Sequence, residues 1–562
     1  MPATRLSLRL GRGLARGVVV LVFVLPLMLA LPWALVEGAS PAGWRALFDD
    51  PQTPQALAAS VFSALASTSL ALLLTLVIVT QLQASALWPR LAALLSPMLA
   101  VPHAAFAIGL AWLIAPSGWI ARALAPLLGF AAPPGWVTVN DPQALALVAV
   151  LVLKELPFLL WNALALLARP ESAATLKREI AVARTLGYAP RSWWWRVGWL
   201  LWLPRLAWPT LAVLAYGLTV VDLALIIGPG SPPTLAVLAW QGLSDGNELR
   251  NAQGAATALG LAALLALCVL IGAAGWKMLV PLWRARATRG DRAPLLPDTR
   301  ARSVWRPGVA LWLLVCVYGL VLAALVMLSI AGVWSFPAFW PPEPTLSAWA
   351  QVYDSVGTVS FTAALALAAA VLAVLLTVAW LEAAPAHWDA RSAPFVLAPL
   401  VVPQLLLMVG LYRGALALQL DGTVLGLLWV HLLVVVPYVF TALAPAWRSF
   451  DRRYEWTALA LGRRRLAFWW HVKWPLLAAP LASAMAIGFA VSVAQYLATQ
   501  FIGAGRHATL TTEAVTLASG GQRNLAAAFA LLQALLPLLA FTAAHVTARA
   551  TALPAQSPHK KT

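Results

Sequence analysis

The sequence predicts an all-α polytopic membrane protein of about twelve transmembrane helices, arranged as two similar halves. Three observations predict it. Hydrophobic residues make up 62% of the 562 positions and charged residues only 10%, far from the roughly 45–50% and 25% of globular domains. The apolar runs match the ~20 residues a helix needs to cross hydrocarbon. They also lack the ~10-residue alternation of a transmembrane β-barrel. Inside lipid the backbone must satisfy its own hydrogen bonds, so runs of this length are helices.

Hydropathy places the spans near residues 16–36, 58–80, 92–114, 143–168, 205–228, 255–280, 309–332, 358–381, 393–415, 423–446, 475–500 and 525–548. Arg5, Arg9, Arg12 and Arg16 precede the first span as in a secretory leader. The apolar stretch is long and more spans follow, so it reads as an uncleaved anchor. The formal charge of +18 does not point to nucleic acid. Of the 38 Lys and Arg, 31 fall in loops on the N-terminal side, six on the other side, and Lys154 within a span. The positive-inside rule then puts both termini in the cytoplasm of a cell inner membrane. Many of the 29 Trp sit near span ends, where indole favours the interface. Cys268 and Cys316 lie inside spans and suggest neither a disulfide nor a metal pair.

A basic, proline-containing stretch, residues 281–308, separates six spans from six, giving halves 1–280 and 309–562. The halves align at a constant offset of 275 through their later parts. Leu186-Gly187 matches Leu461-Gly462, and Trp194-Trp195-x-Val197-x-Trp199 matches Trp469-Trp470-x-Val472-x-Trp474. Ile227-Gly228-x-Gly230 matches Ile502-Gly503-x-Gly505. Earlier, Pro102 and Gly109 keep their spacing in Pro403 and Gly410, and Pro157-Phe158 corresponds to Pro437-Tyr438. Six spans per half give both copies the same orientation, so they form parallel repeats about an axis along the membrane normal.

Two loops on the N-terminal side, residues 169–204 and 448–475, differ from the short connections. Each has a helical stretch of small residues ending in Gly, Gly187 or Gly462, and then a segment rich in Arg and Trp. Gly frees the backbone to turn with φ > 0. The small residues let a partner helix approach, and the basic aromatic segment suits a short interfacial helix. A plain re-entry helix does not explain why such a loop occurs at the same place in both halves.

These loops resemble the EAA signature of permease subunits of binding-protein-dependent ABC importers. Aligning Gly187 and Gly462 with the signature Gly puts Ala183 and Ala458 on its second Ala, and Pro475 on its Pro. Ala181 and Trp456 replace the signature Glu, Val182 and Thr457 the first Ala, and Leu200 the Pro of the first loop. The resemblance covers most of the chain as two fused MetI-like domains, similar to ferric-iron, thiamine and YnjC-type permeases. It implies a cytoplasmic ABC ATPase dimer docked on the loops at Ala183, Gly187, Ala458 and Gly462. It also implies an extracytoplasmic solute-binding protein delivering a small molecule or ion. ATP-driven closure would separate the halves through differential binding to two permease states. No G-x-x-x-x-G-K-[ST] loop precedes any of the six lysines, so the ATPase is a separate subunit. The protein itself is expected to be a permease and not an enzyme, without a cofactor.

Ionisable groups inside spans invite a functional reading. Lys154 and Glu155 sit mid-way along the fourth span, about 100° apart on a helix, so each needs its own partner. A charge-neutralised structural site is an equal alternative. Asp222 lies near the outer end of the fifth span; in the second half Leu497 takes its place, with Gln495 and Tyr496 nearby. Asp222, Glu155, Gln495 and Tyr496 are therefore the candidates for a translocation pathway, with hydrogen bonding within the bundle as the plainer alternative for Asp222. The seven histidines show no metal-ligand spacing. A secondary, ion-coupled transporter with two six-helix halves is the competing class; it would need charges in several spans and no paired loops.

Overall fold

The computed structural model describes residues 2–83, 85–288 and 308–551, and every long element among them is helical. In chain order the helices are α1 (Gly11–Gly38), α2 (Thr53–Leu82), α3 (Leu91–Ala100), α4 (His103–Ile114), α5 (Trp119–Leu128), α6 (Leu145–Ala168) and α7 (Pro170–Thr185). There follow α8 (Pro190–Thr219), α9 (Asp222–Ile227), α10 (Leu235–Leu243), α11 (Glu248–Thr288), α12 (Val309–Ser329) and α13 (Val356–Ala383). The remainder are α14 (His387–Val401), α15 (Gln404–Ala417), α16 (Val424–Arg448), α17 (Arg453–Ala460), α18 (Arg465–Leu476), α19 (Ala478–Val493), α20 (Leu497–Gly503), α21 (Leu510–Ser519) and α22 (Arg523–Thr551). Among the described residues ten helices are long and apolar enough to cross a membrane, or up to twelve if each of two bent pairs counts as one span. Helix α11 continues through Pro281 to Thr288; the rest of the expected basic linker, 289–307, lies outside the described residues.

Four of the expected continuous spans are broken. The stretch 92–114 is α3 and α4 separated at Val101-Pro102, and 393–415 is α14 and α15 meeting at 102° around Val402-Pro403. In both, the residue before proline is pushed out of the helical region: Val101 has ψ 121° and Val402 ψ 130°. The stretch 205–228 ends its long helix at Thr219 and restarts at Asp222; 475–500 ends at Val493 and restarts at Leu497. A hydropathy window averages across such breaks because both pieces are apolar.

The first helix of each half packs on the opposite half. Helix α1 lies against α13 and α15, while α12 lies against α4. Both crossings use the glycine expected to be equivalent. A Cβ on Gly109 would sit 2.8 Å from Val321 of α12, and one on Gly410 would run into the Ala30 backbone of α1. Only glycine lets the backbones approach this closely, the device that substitutes for hydrophobic drive between helices in lipid.

A second pair of contacts fixes the same register in both halves. The Ser60 hydroxyl of α2 accepts from the Leu235 N–H at 2.8 Å, and the Thr362 hydroxyl of α13 accepts from the Leu510 N–H at 3.0 Å. Each bond satisfies an N–H at a helix start, where intrahelical acceptors are missing. On the face opposite the termini, Arg122 is buried and donates to the carbonyls of Ser117, Ser335, Ala338 and Trp334 at 2.6–3.0 Å. It thereby ties α5 of the first half to the segment after α12 of the second.

Candidate functional site

Two sites emerge, one on the basic face and one deep between the halves. On the basic face, α7 and α17 end in the same way. Gly187 has φ +86° and Gly462 φ +74°, a conformation that favours glycine. The Tyr188 N–H donates to the Ala183 carbonyl at 2.8 Å, and the Arg463 N–H to the Ala458 carbonyl at 3.0 Å. This is the Schellman closure, which satisfies carbonyls left over at a helix end. Ala183, Gly187, Ala458 and Gly462 thus share one backbone geometry in both loops. Around them Val182, Leu186, Trp456 and Leu461 are each more than half exposed (58–76%). Large apolar groups held open to water on structured loops mark an interaction surface.

After each glycine the chain makes a helical turn and then a π turn at matching positions, Trp194–Gly198 and Trp469–Lys473. The segments that follow differ between the halves. In the second, α18 bends 72° from α19, whereas in the first the segment continues into the span as α8.

Each segment is anchored to the basic-face end of α2 or α13, at Thr80 and Glu382, which the sequence reading did not single out. Trp199 donates its indole N–H to the Thr80 hydroxyl at 3.0 Å. In the second half the equivalent position is Glu382, which accepts from Trp447 Nε1 at 2.9 Å and from the Lys473 ammonium. Lys473 is buried and its ammonium lies over the rings of Trp447 and Trp469, 4.4 and 4.9 Å from their centroids. Arg448 grips Asp389 through two 2.7 Å bonds and caps the Leu381 and Ala384 carbonyls, fixing the same corner. In the first loop Glu179 faces Trp202 and Arg205. Burial pushes its carboxyl above the ordinary range, against the lowering influence of Arg205 and Arg178. One of its oxygens has no hydrogen-bond partner.

The second site lies where the broken spans face each other. Glu155 hydrogen-bonds His103 at 3.3 Å, while Lys154 donates to the Met98 and Val101 carbonyls at 3.2 and 2.7 Å. The adjacent charges therefore do find separate partners, as their 100° offset requires. The freed Val101 carbonyl exists because α3 breaks before Pro102. The His103 and Tyr216 rings lie 5.0 Å apart. Tyr216 is within electrostatic reach of Asp222, Glu155 and Tyr438, and Tyr496 within reach of Asp222. Tyr318 donates to the Leu153 carbonyl at 3.2 Å and closes the cluster from α12.

Among the expected pathway residues, Asp222 is within electrostatic reach of both Tyr216 and Tyr496, and Glu155 of Tyr216. Gln495 shares the break with Tyr496 and is buried, but its side chain hydrogen-bonds to none of Asp222, Glu155 and Tyr496. Asp222 keeps accessible surface despite its depth. Four of the eight tyrosines, Tyr216, Tyr318, Tyr438 and Tyr496, lie within electrostatic or hydrogen-bonding reach of this region, from both halves. Three of them carried a signal in the sequence, since tyrosines of an interfacial belt would sit at span ends and Tyr216, Tyr318 and Tyr438 lie within their expected spans. Elsewhere His431 is enclosed between the hydroxyls of Ser492 (2.8 Å) and Thr499 (3.0 Å), a packing role. Among the described residues no group of three or more His, Cys, Asp or Glu is placed to hold a metal.

No protein-family model matches the chain. Among curated proteins it is 37% identical over 545 residues to the inner membrane ABC transporter permease protein YnjC of Escherichia coli K12, covering 94% of this chain and 96% of that protein. It is also 29% identical over 231 residues to the molybdenum transport system permease protein ModB of Mycobacterium bovis and of Mycobacterium tuberculosis, covering 38% of this chain and 82% of each. Near-complete coverage at that identity, together with the twofold recurrence of loop and π turn, has one reading. The chain belongs to the ABC transporter permease family, as a multi-pass membrane permease of an import system whose ATPase is a separate subunit, and within that family it is similar to YnjC-type permeases.

Proposed function

We propose that two MetI-like domains, 1–280 and 309–562, joined by the basic linker 281–308, carry a small solute between them, with both termini in the cytoplasm. A cytoplasmic ABC ATPase dimer docks on the loops around Ala183, Gly187, Ala458 and Gly462, and an extracytoplasmic binding protein delivers the solute. One observation carries this reading. Two loops at matching positions end in the same glycine-closed geometry, and each holds large apolar side chains open to water. The anchors of those loops, Trp199 on Thr80 and Lys473 on Glu382, lead to the helices that pin α10 and α21. A push on a loop therefore has a stiff route toward the centre. The pathway runs past Asp222, Glu155, Gln495 and Tyr496. Asp222 and the tyrosines around it present acceptors, hydroxyls and ring faces, and such a lining suits a polar or cationic solute.

The test uses surface changes that leave the glycines and the fold alone. Val182→Asp with Leu186→Asp, and Trp456→Asp with Leu461→Asp, are each expected to abolish co-purification with the partner ATPase while the chain still elutes as a single species. An intact complex from the fourfold variant would overturn the assignment.

A further inference from the structure

We propose that the second half carries a specific site for one anionic phospholipid, in a groove between α1, α13, α14 and α16 at the basic face. The groove encloses about 330 Å³ and is walled by apolar groups including Phe23, Leu376, Val436 and Phe440. Val20 and Phe395 on its walls are 44% and 45% exposed, so it opens sideways toward lipid.

Two features make this more than an apolar cleft. The first is charge at its mouth. Arg391 and Ser392 line it at the basic end, and Arg391 is exposed with no hydrogen bond or ion pair among the described residues. Arg16 lies over the ring of Trp388, another lining residue, 5.4 Å from its centroid. Two guanidinium groups at the mouth of the groove suit an anionic headgroup. The second feature is a pair of unused polar groups further in. Thr377 Oγ1 and Trp380 Nε1 both line the groove, are both buried, and have no hydrogen-bond partner. Thr377 is only 2% exposed. Such groups are costly in an apolar setting unless something accepts from them. The ester carbonyls of a phospholipid are acceptors that lie just below its phosphate, with the acyl chain continuing into the apolar part.

The first half shows what the same position looks like when closed. On the register set by Ser60 and Thr362, Thr75 is the counterpart of Thr377 and Ile78 of Trp380. Thr75 donates back to the Ala71 carbonyl at 2.8 Å, and Ile78 is packed and buried. The second half has left the donor free and added another beside it.

Native mass spectrometry of the delipidated full chain tests this, by titration with phosphatidylglycerol or with phosphatidylcholine of the same acyl chains. The wild type is expected to bind one phosphatidylglycerol in preference to phosphatidylcholine. Arg391→Ala should weaken it roughly fivefold and Arg391→Glu roughly thirtyfold, from about 1 kcal/mol per interfacial charge. Arg90→Ala, at the matched position of the first half, should leave it unchanged. Trp380→Phe keeps a ring and removes only the indole donor; weaker phosphatidylglycerol binding by this variant would support the site independently of the charge. Equal binding of both lipids, or no loss in both Arg391→Glu and Trp380→Phe, would overturn the proposal.

Discussion

Replacing Glu382 with Gln removes the counter-charge of Lys473 and keeps the shape of the side chain and one acceptor. Lys473 then remains enclosed by Trp447, Trp469 and Phe450 without an anion. Breaking a fully buried pair by removing one partner costs roughly 3–5 kcal/mol. Here the Lys473 side chain is 11% exposed and Glu382 32%, so water screens part of the loss, and the cation–π contacts offset about 1 kcal/mol more. The expected cost is therefore about 1.5–3 kcal/mol. In the first half Thr80→Val breaks only the neutral Trp199 bond and should cost about 1 kcal/mol. Denaturant or thermal unfolding of the purified chain measures both. A double-mutant cycle with Lys473→Met isolates the pair, because the double variant leaves no buried charge and should recover at least about 1 kcal/mol relative to additivity. Strict additivity, or equal costs for Glu382→Gln and Thr80→Val, would refute the argument that this elbow is held by an enclosed charge. In the assembled transporter Glu382→Gln should also lower transport-coupled ATP hydrolysis more than Thr80→Val does.

Two further outcomes follow from the sites. Asp222→Asn keeps size but replaces the carboxyl within electrostatic reach of Tyr216 and Tyr496 by an amide; solute uptake should fall at least tenfold with membrane expression intact, and unchanged uptake would remove Asp222 from the pathway. Glu179 holds its proton in the folded state to higher pH than in the unfolded chain, because burial raises its carboxyl. Its ionisation therefore costs stability as pH rises from the ordinary carboxylate value through the raised one. Glu179→Gln should match the wild type in acid and exceed it at neutral pH, as read from thermal unfolding across pH 4–8; parallel curves would show that burial does not govern this group.

The spans were legible because hydrocarbon leaves a chain one solution, and Gly187 and Gly462 because a turn past a helix end needs φ > 0. The breaks were only partly legible. Val101-Pro102 and Val402-Pro403 carried a local signal that apolar averaging hid, whereas those before Asp222 and Leu497 have no proline or glycine to announce them. What no local pattern could supply was the exchange of first helices. Gly410 reads as a small residue in a span until Ala30, far away in sequence, lies across it. The same holds for Glu382, whose partners Trp447 and Lys473 come from two later segments. Tyr216 and Tyr438 stood in the sequence as isolated mid-span residues, and only the interface between halves makes them one cluster.

The two halves agree in backbone and differ in chemistry, and this difference bears on how the transporter would work. Glycine closures, π turns and helix-start hydrogen bonds recur at matched positions, so on the proposed docking both loops would present the same backbone shape to a twofold-symmetric ATPase. The anchors behind them do not match: a hydroxyl–indole bond stands in one half, a lysine–carboxylate pair in the other. Nor do the elbows, since α18 turns 72° away from its span while α8 runs on. At the centre Asp222 lies within electrostatic reach of Tyr496, with no carboxyl at the matching Leu497. On the proposed pathway, equal displacements at the loops would thus reach the midline through unequal linkages and meet a carboxyl on one side. A fused chain permits this, because each half can change without imposing the change on the other.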